Sequence, residues 1–150
     1  MPQIELTLPR GALADAAIDS VMAEATTTLL RWEGAPVDSP GAREVSWGYV
    51  HEVDRAYHAG LPSSEARYRF DVTVPSGALN DEKKNGLVAD LTRLVLAAEG
   101  VDFEADPGAG MRVWALVHEV PDGNWGGAGR TWKLREIAAL VSADAPVASG

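Results

Sequence analysis

The chain has 150 residues, of which 46% are hydrophobic and 23% are charged, and its formal net charge at pH 7 is −9. This length and composition are typical of a globular protein, and we expect a single domain spanning residues 1–150. The negative charge repels phosphate groups, which argues against nucleic acid and anionic membranes as partners. Because the sequence contains no cysteine, disulfides and thiolate metal sites are excluded.

The N-terminal residues lack the basic stretch and the apolar run of a signal peptide. No apolar segment of the sequence approaches the ~20 residues that a membrane-spanning helix needs. We therefore expect a cytoplasmic protein that does not bind a membrane.

The first predicted element is a β-strand over residues 3–8, where apolar and polar side chains alternate with a period of two. Pro9 ends this strand because proline offers no backbone donor to a sheet. A helix follows and ends at Gly34. After a loop containing Pro-Gly, a second strand is predicted at about residues 45–53. The predicted helix has apolar residues at helical spacing along one side: Leu13, Ala17, Val21, Ala25 and Leu29.

The second half of the sequence repeats the first. Residues 7–15 read TLPRGALAD and residues 73–81 read TVPSGALND, so six of the nine positions are identical at an offset of 66. The matches continue along the chain and include Glu33-Gly34 with Glu99-Gly100, Trp47 with Trp114, and Val-His-Glu-Val at 50–53 and 117–120. Matches in register across both halves indicate a tandem duplication.

The second copy is therefore predicted to contain a strand at 68–74, a helix, and a strand at about 112–120. Asn80 and Asp81 are suited to cap this helix, and Gly100 is suited to end it. These limits divide the chain into unit one (about 2–53), a linker (about 54–66), unit two (about 67–130) and a C-terminal tail (about 131–150). The polar residues after about 141 are expected to fray.

Each unit has the order β-α-β, in which a right-handed crossover joins two parallel strands. Two such units predict an α+β fold with a four-stranded mixed sheet and both helices on one face. The opposite face would carry large apolar side chains, which argues that another copy of the chain covers it. The side chains concerned are Trp47, Tyr49, Trp114 and Leu116.

Pro2 is the first candidate for chemistry. Initiator methionine is normally removed before proline, which would leave a secondary amine directly before the first strand. An apolar environment lowers the pKa of such an amine toward neutrality, where it can act as a general acid or base.

A second feature is the segment at 117–120, which is followed by Gly-Asn-Trp-Gly-Gly at 123–127. Together with Pro2 and the duplicated unit, it resembles the tautomerase superfamily, in which a strand and a glycine-rich hairpin close the 4-oxalocrotonate tautomerase unit. The duplicated chain is similar to the fused two-unit members related to the cis-3-chloroacrylic acid dehalogenase and malonate semialdehyde decarboxylase groups. The resemblance covers about residues 2–130 and implies a fold of the tautomerase and macrophage migration inhibitory factor (MIF) type.

The resemblance implies a cofactor-independent enzyme that uses Pro2 as general acid or base on a small carbonyl, enol or 2-oxo acid substrate. It implies an isomerase (a tautomerase), no metal, no cofactor and assembly as a homotrimer. Trp125 matches the aromatic residue that the family carries in its glycine-rich hairpin.

The arginines that the family uses to bind a substrate carboxylate have no counterpart at the matching positions. The family commonly has one arginine just after the first strand of the neighbouring unit, and the matching residues here, 75–78, contain none. A second family arginine lies on the later strand, where this sequence has Trp47 and Trp114. Arg112 and Arg10 remain as candidate cations for binding the substrate carboxylate. Trp114 and Trp125 remain as candidate residues for the walls of the substrate pocket. Arg10 is expected to face the equivalent site of unit two, where Tyr68 replaces Pro2.

Three alternatives stay open. The chain could be a decarboxylase, hydratase or dehalogenase relative with a rearranged carboxylate-binding site. It could be a non-enzymatic oligomeric binding protein of the same fold, which a retained Met1 would favour. The third alternative is a dimeric ferredoxin-like barrel of the small monooxygenase type, which would assign no role to Pro2.

His51 and His118 occupy equivalent strand positions and are interpreted as structural. The segment Gly-Asn-Trp-Gly-Gly-Ala-Gly is interpreted as a hairpin and not as a nucleotide-binding loop.

Overall fold

The computed structural model describes residues 1–143, which contain eight strands, four α-helices and one 3-10 helix. Unit one consists of β1 (Gln3–Pro9), α1 (Asp15–Glu33), α2 (Pro40–Glu44) and β2 (Trp47–Val53), followed by β3 (Tyr57–His58) and β4 (Leu61–Pro62). Unit two consists of β5 (Tyr68–Pro75), α3 (Asp81–Glu99), the 3-10 helix (Pro107–Arg112) and β6 (Val113–Val120), followed by β7 (Trp125–Gly127), β8 (Arg130–Trp132) and α4 (Leu134–Val141).

Four strands form one mixed sheet in the order β2-β1-β5-β6. β1 pairs in parallel with β2, and β5 in parallel with β6, whereas β1 and β5 run antiparallel with Leu6 opposite Phe70. The two units therefore meet at their first strands. This arrangement confirms the predicted α+β fold with two tandem β-α-β units.

The two long helices end as the sequence predicts. Gly34 and Gly100 follow α1 and α3 with φ angles of 77° and 87°. This left-handed conformation lets their N–H groups bond to carbonyls of the last helical turn and strains a residue with a Cβ. At the start of α3, the side chain of Asn80 accepts a hydrogen bond of 2.9 Å from the backbone N–H of Lys83.

The core lies between the sheet and the two long helices, which pack against each other. Alternate residues of the central strands point toward the helices, as the period of two predicts. From β1 and β5 these are Ile4, Leu6, Leu8, Phe70, Val72 and Val74, each at most 1% exposed.

A hairpin follows each β-α-β unit, so the duplication extends into the segment that the sequence analysis assigned to the linker. β3 pairs with β4, and β7 with β8, both antiparallel. The turns carry the same dipeptide, Ala59-Gly60 and Ala128-Gly129, and all four residues have φ between 50° and 79°. The hairpin predicted from the glycine-rich segment is thus present.

The segment assigned to the C-terminal tail contains β8 and α4. The hydroxyl of Ser39, the N-cap of α2, donates to the carbonyls of Val141 and Ala143 at 2.8 and 3.0 Å. These contacts fasten the end of α4 to α2. Most of the polar stretch that was expected to fray, residues 144–150, lies outside the described residues.

The sheet face opposite the helices is open. Trp47 and Trp114 are 62% and 66% exposed there, and Tyr49 and Leu116 lie beside them on the same face. The described part of the chain contains no helix that combines the length and the apolar character required to cross a membrane.

Candidate functional site

A cavity of about 500 Å³ surrounds the amino end of β1. Pro2 is buried and lines it, and its carbonyl accepts a hydrogen bond of 3.1 Å from the backbone N–H of Trp47. Thr73 lines the cavity from the neighbouring strand β5, where it lies opposite Gln3. The antiparallel pairing of the two units thus brings the carboxyl end of β5 to Pro2.

Three indole rings line this cavity: Trp47 at the start of β2, Trp125 in β7 and Trp132 in β8. The last two lie opposite each other in the hairpin. The Trp132 ring is held by a hydrogen bond of 2.9 Å from its Nε1 to the carbonyl of Gly127. Other apolar walls come from Val45, Val120 and Leu140.

Met1 also lies in the cavity, and a Cβ at Gly127 would be 3.7 Å from its Cε. Burial lowers the pKa of the Met1 amine, an effect that the Glu33 carboxylate partly opposes. Burial in turn raises the pKa of Glu33 to about 7, although the amine and Lys83 favour its ionised form. The chain terminus therefore lies in an environment that favours a neutral amine.

Of the predicted site residues, the structure brings Pro2 and Trp125 together in this cavity. Trp114 lies on the open sheet face and does not line it.

Arg112, the predicted substrate-binding cation, does not line the Pro2 cavity either. Its guanidinium forms an ion pair with Glu99. It is 8% exposed and donates to both carboxylate oxygens of Glu99, at 3.0 and 2.7 Å, and to the carbonyl of Ala66 at 2.7 Å. Hydrogen bonds from Arg112 hold the pKa of Glu99 below its usual value. Because moving the arginine would leave a partly buried carboxylate unpaired, Arg112 stabilises the fold at this position.

Arg10 lines a second cavity of about 490 Å³, which residues 54–57 and 62–66 also line. Its side chain pairs with Asp54 at 3.0 Å and Glu52 at 3.7 Å. This cavity includes Ala66, two residues before Tyr68, so Arg10 lies toward the Pro2-equivalent position of unit two rather than toward Pro2.

Sequence analysis did not assign Trp47, Trp132 or Met1 to the site. Trp47 was interpreted as an interface residue, and Trp132 fell in the tail. The sequence carries no signal for this position of Trp132, because the turn that places it across the hairpin from Trp125 holds Ala128 at a φ of 50°, which alanine rarely adopts.

The two histidines of the open face each contact a carboxylate. His51 Nε2 lies 3.0 Å from Glu5 Oε2, and His118 Nε2 lies 2.9 Å from Asp71 Oδ1. These pairs occupy equivalent positions in the two units, outside the Pro2 cavity. Within residues 1–143, no three imidazole or carboxylate groups lie close enough together to bind a metal ion.

No protein-family model and no curated protein sequence matches the chain. Solved structures do match. The protein Pt0534, inactivated by 2-oxo-3-pentynoate, superimposes with a TM-score of 0.69 at 18% identity, over 89% of this chain and 96% of that one.

Macrophage migration inhibitory factor from Toxoplasma gondii gives a TM-score of 0.67 at 14% identity, covering 87% of this chain and 99% of that one. A symmetric trimer of a fused 4-oxalocrotonate tautomerase, Q0, gives 0.67 at 20% identity, covering 91% and 98%. The chain has the fold of the tautomerase superfamily, as the sequence resemblance implied.

Proposed function

We propose that this protein is a cofactor-independent enzyme of tautomerase type, in which the secondary amine of Pro2 is the general acid and base. Removal of Met1 would expose this amine inside the cavity. The substrate is a small carbonyl compound or its enol. The amine takes a proton from one atom of the substrate and returns it to another, so the reaction is an isomerisation without net loss of atoms.

The observation that carries the proposal is the position of Pro2: buried, at the first strand of a tautomerase-type fold, and lining a cavity with three indole walls. Burial lowers the pKa of the Met1 amine, one residue before Pro2. The same burial would favour the neutral form of a Pro2 amine after removal of Met1, and a neutral amine is the form that accepts a proton from the substrate, which supports the assignment of Pro2.

The test is the variant Pro2→Ala, which still permits removal of Met1 and replaces the secondary amine by a primary one. Ketonisation is followed with the enol of phenylpyruvate and with the enol of its methyl ester, so that the outcome does not depend on substrate charge. The primary amine of the variant lacks the ring that fixes its position, and this loss of positioning is expected to lower kcat/KM by about 100-fold or more.

Pro36→Ala, which changes an exposed proline outside the cavity, is the control and should retain full activity. Intact-mass measurement must first establish that Met1 is absent from all three proteins. Unchanged ketonisation in Pro2→Ala would contradict the mechanism, as would a wild-type protein that retains Met1.

A non-enzymatic binding protein of the same fold is the second candidate. The observation that favours it is the absence of any arginine or lysine among the described residues that line the Pro2 cavity. A wild-type protein that binds ligand in this cavity but shows no turnover of either enol would support this candidate.

A further inference from the structure

The walls of the Pro2 cavity are mainly apolar. Trp47, Trp125 and Trp132 supply flat aromatic surfaces, and Val45, Val120 and Leu140 supply aliphatic ones. Indole rings bind other aromatic rings by stacking or edge-to-face contact, at little cost in conformational entropy. Such walls are therefore suited to a planar apolar ligand.

The charge of the lining is the second consideration. Among the described residues that line the cavity, Glu44 alone has an ionisable side chain, and that side chain is an anion. A carboxylate entering this space would lose hydration and would be repelled by Glu44. The one basic group among the described lining residues is the terminal amine, and burial favours its neutral form, which offers no charge to a carboxylate. Gln3, Thr73 and Asn124 offer neutral hydrogen-bonding groups, which suit a carbonyl or hydroxyl oxygen.

The cation that packs on one wall of the cavity already has partners. The Arg130 guanidinium lies 3.7 Å from the centre of the Trp132 ring and pairs with Glu136 at 3.1 Å. Arg112 is bound by Glu99, and Arg10 by Asp54 and Glu52. None of these three arginines lines the Pro2 cavity.

The duplication makes the contrast direct. At the position where unit two has Arg112, beside the Glu99 carboxylate, unit one has Val45, which lines the cavity. Unit one, which carries Pro2, therefore has the apolar side chain of Val45 at the position where unit two has the guanidinium of Arg112.

We propose that the Pro2 cavity selects an uncharged aromatic carbonyl compound, or its enol, over the corresponding carboxylate. The inference rests on the proposed function for its catalytic part, since Pro2 must act on the bound carbonyl. The preference for a neutral ligand rests on the walls and charges alone and applies equally to a protein that only binds.

Binding is tested with phenylacetamide and phenylacetate, a pair of similar shape that differs in charge. Quenching of tryptophan fluorescence reports occupancy, because three of the five tryptophans line the cavity. The amide is expected to bind at least 10-fold more tightly than the acid at pH 7.5. Equal affinities, tighter binding of the acid, or no binding of either would overturn the inference.

Glu44→Gln removes the anion from the lining and should narrow the amide-to-acid preference several-fold. Glu24→Gln, the same change at an exposed position of α1, should leave the preference unchanged. If Arg130→Gln weakened binding of the acid alone, Arg130 would be a carboxylate ligand and the inference would be wrong.

Turnover separates this inference from the proposed function. With the enols of phenylpyruvate and its methyl ester, wild-type protein should favour the ester at least 10-fold in kcat/KM, after division by the uncatalysed rates. Pro2→Ala should lower kcat/KM for both enols by about 100-fold or more and keep the preference for phenylacetamide. Turnover of the enols at the wild-type rate in Pro2→Ala refutes the catalytic role, whereas a preference for the acid refutes the selectivity.

Discussion

Glu33 and Glu99 occupy equivalent positions, as the last residues of α1 and α3, but they have different partners. Glu99 accepts hydrogen bonds from the Tyr68 hydroxyl at 2.6 Å and from Arg112. In unit one the corresponding positions hold Pro2 and Val45, which cannot make these contacts. The difference leaves Glu33 with the terminal amine and Lys83 as its opposing charges, and its pKa is raised to about 7 by burial.

The raised pKa of Glu33 predicts a pH-dependent gain in stability on its replacement. Below about pH 4.5 the carboxyl is protonated in both the folded and the unfolded state and contributes nothing to the pH dependence. As the pH rises from 4.5 toward 7, the Glu33 carboxyl ionises in the unfolded chain but stays protonated in the folded protein. The unfolded state is therefore favoured increasingly, and the free energy of unfolding falls. Glu33→Gln should therefore raise the free energy of unfolding at pH 8 by up to about 3 kcal/mol, and much less at pH 4.5.

Urea denaturation of wild type and Glu33→Gln at both pH values measures this difference. Glu24→Gln, on the exposed side of the same helix, controls for the loss of one negative charge. A gain in Glu33→Gln that is the same at pH 4.5 and pH 8 would show that ionisation of Glu33 does not oppose folding.

Side-chain pairing also explains which site residues the sequence could predict. Pro2 and Trp125 were named from the family resemblance, and the strand and the hairpin that carry them bring both residues to one cavity. The partner of Arg112 is determined by tertiary contact: Glu99 lies 13 residues away on another element. The repeat aligns Glu33 with Glu99 and Val45 with Arg112, but only the fold reveals that Arg112 binds Glu99.

Among the elements, the two short helices, α2 of unit one and α4 of unit two, together form one part of the wall of the Pro2 cavity. Glu44 of α2, Val45 after it and Leu140 of α4 line the cavity. The helices approach closely at Gly41, where an added Cβ would collide with the carbonyl oxygen of Leu140. Glycine is required at this position by the contact and not by a positive φ.

Gly41→Ala is expected to displace α4 and to distort the cavity. Overpacking of this kind costs about 1–3 kcal/mol of stability. The free energy of unfolding by urea and the affinity for phenylacetamide should both fall. Gly108→Ala is the matched control, since Gly108 is the repeat counterpart and a Cβ there meets only the Asp106 carboxylate, at 3.4 Å. If the two variants behave alike, α4 does not shape the site through this contact.

The elements that the sequence predicted are those with long periodic patterns. Alternation and helical spacing identify β1, β5, α1 and α3, and the duplication doubles the evidence for each. The hairpin β3–β4 lies in the segment that was assigned to the linker on its Gly, Pro and Ser content. Each of its strands has two residues, too few to show a period. Its turn also places Ala59 at a φ of 52°, a conformation that alanine rarely adopts and that composition does not signal.

At the scale of the whole molecule, the open sheet face has the same pattern in both units. Glu5 with His51 corresponds to Asp71 with His118, and Trp47 corresponds to Trp114. Exposed apolar side chains run along both edges of this face, Trp47 with Tyr49 on β2 and Trp114 with Leu116 on β6, on either side of the polar side chains of β1 and β5. Such apolar edges are costly to leave in water. The homotrimer that the sequence resemblance implies would cover this face, and the fused 4-oxalocrotonate tautomerase Q0, of similar structure, is a symmetric trimer.

A trimer that covers this face predicts that a charge placed on it prevents assembly. Trp114→Glu should convert a species of about three times 15.9 kDa into monomers, because burial of an unpaired carboxylate at an interface is unfavourable. Trp114 lies outside the Pro2 cavity, so its replacement alters the face without altering the lining. Ala23→Glu, on the exposed side of α1, should remain trimeric. Sedimentation equilibrium gives both masses, and a wild-type monomer, or a Trp114→Glu protein of unchanged mass, would exclude this face as the subunit interface.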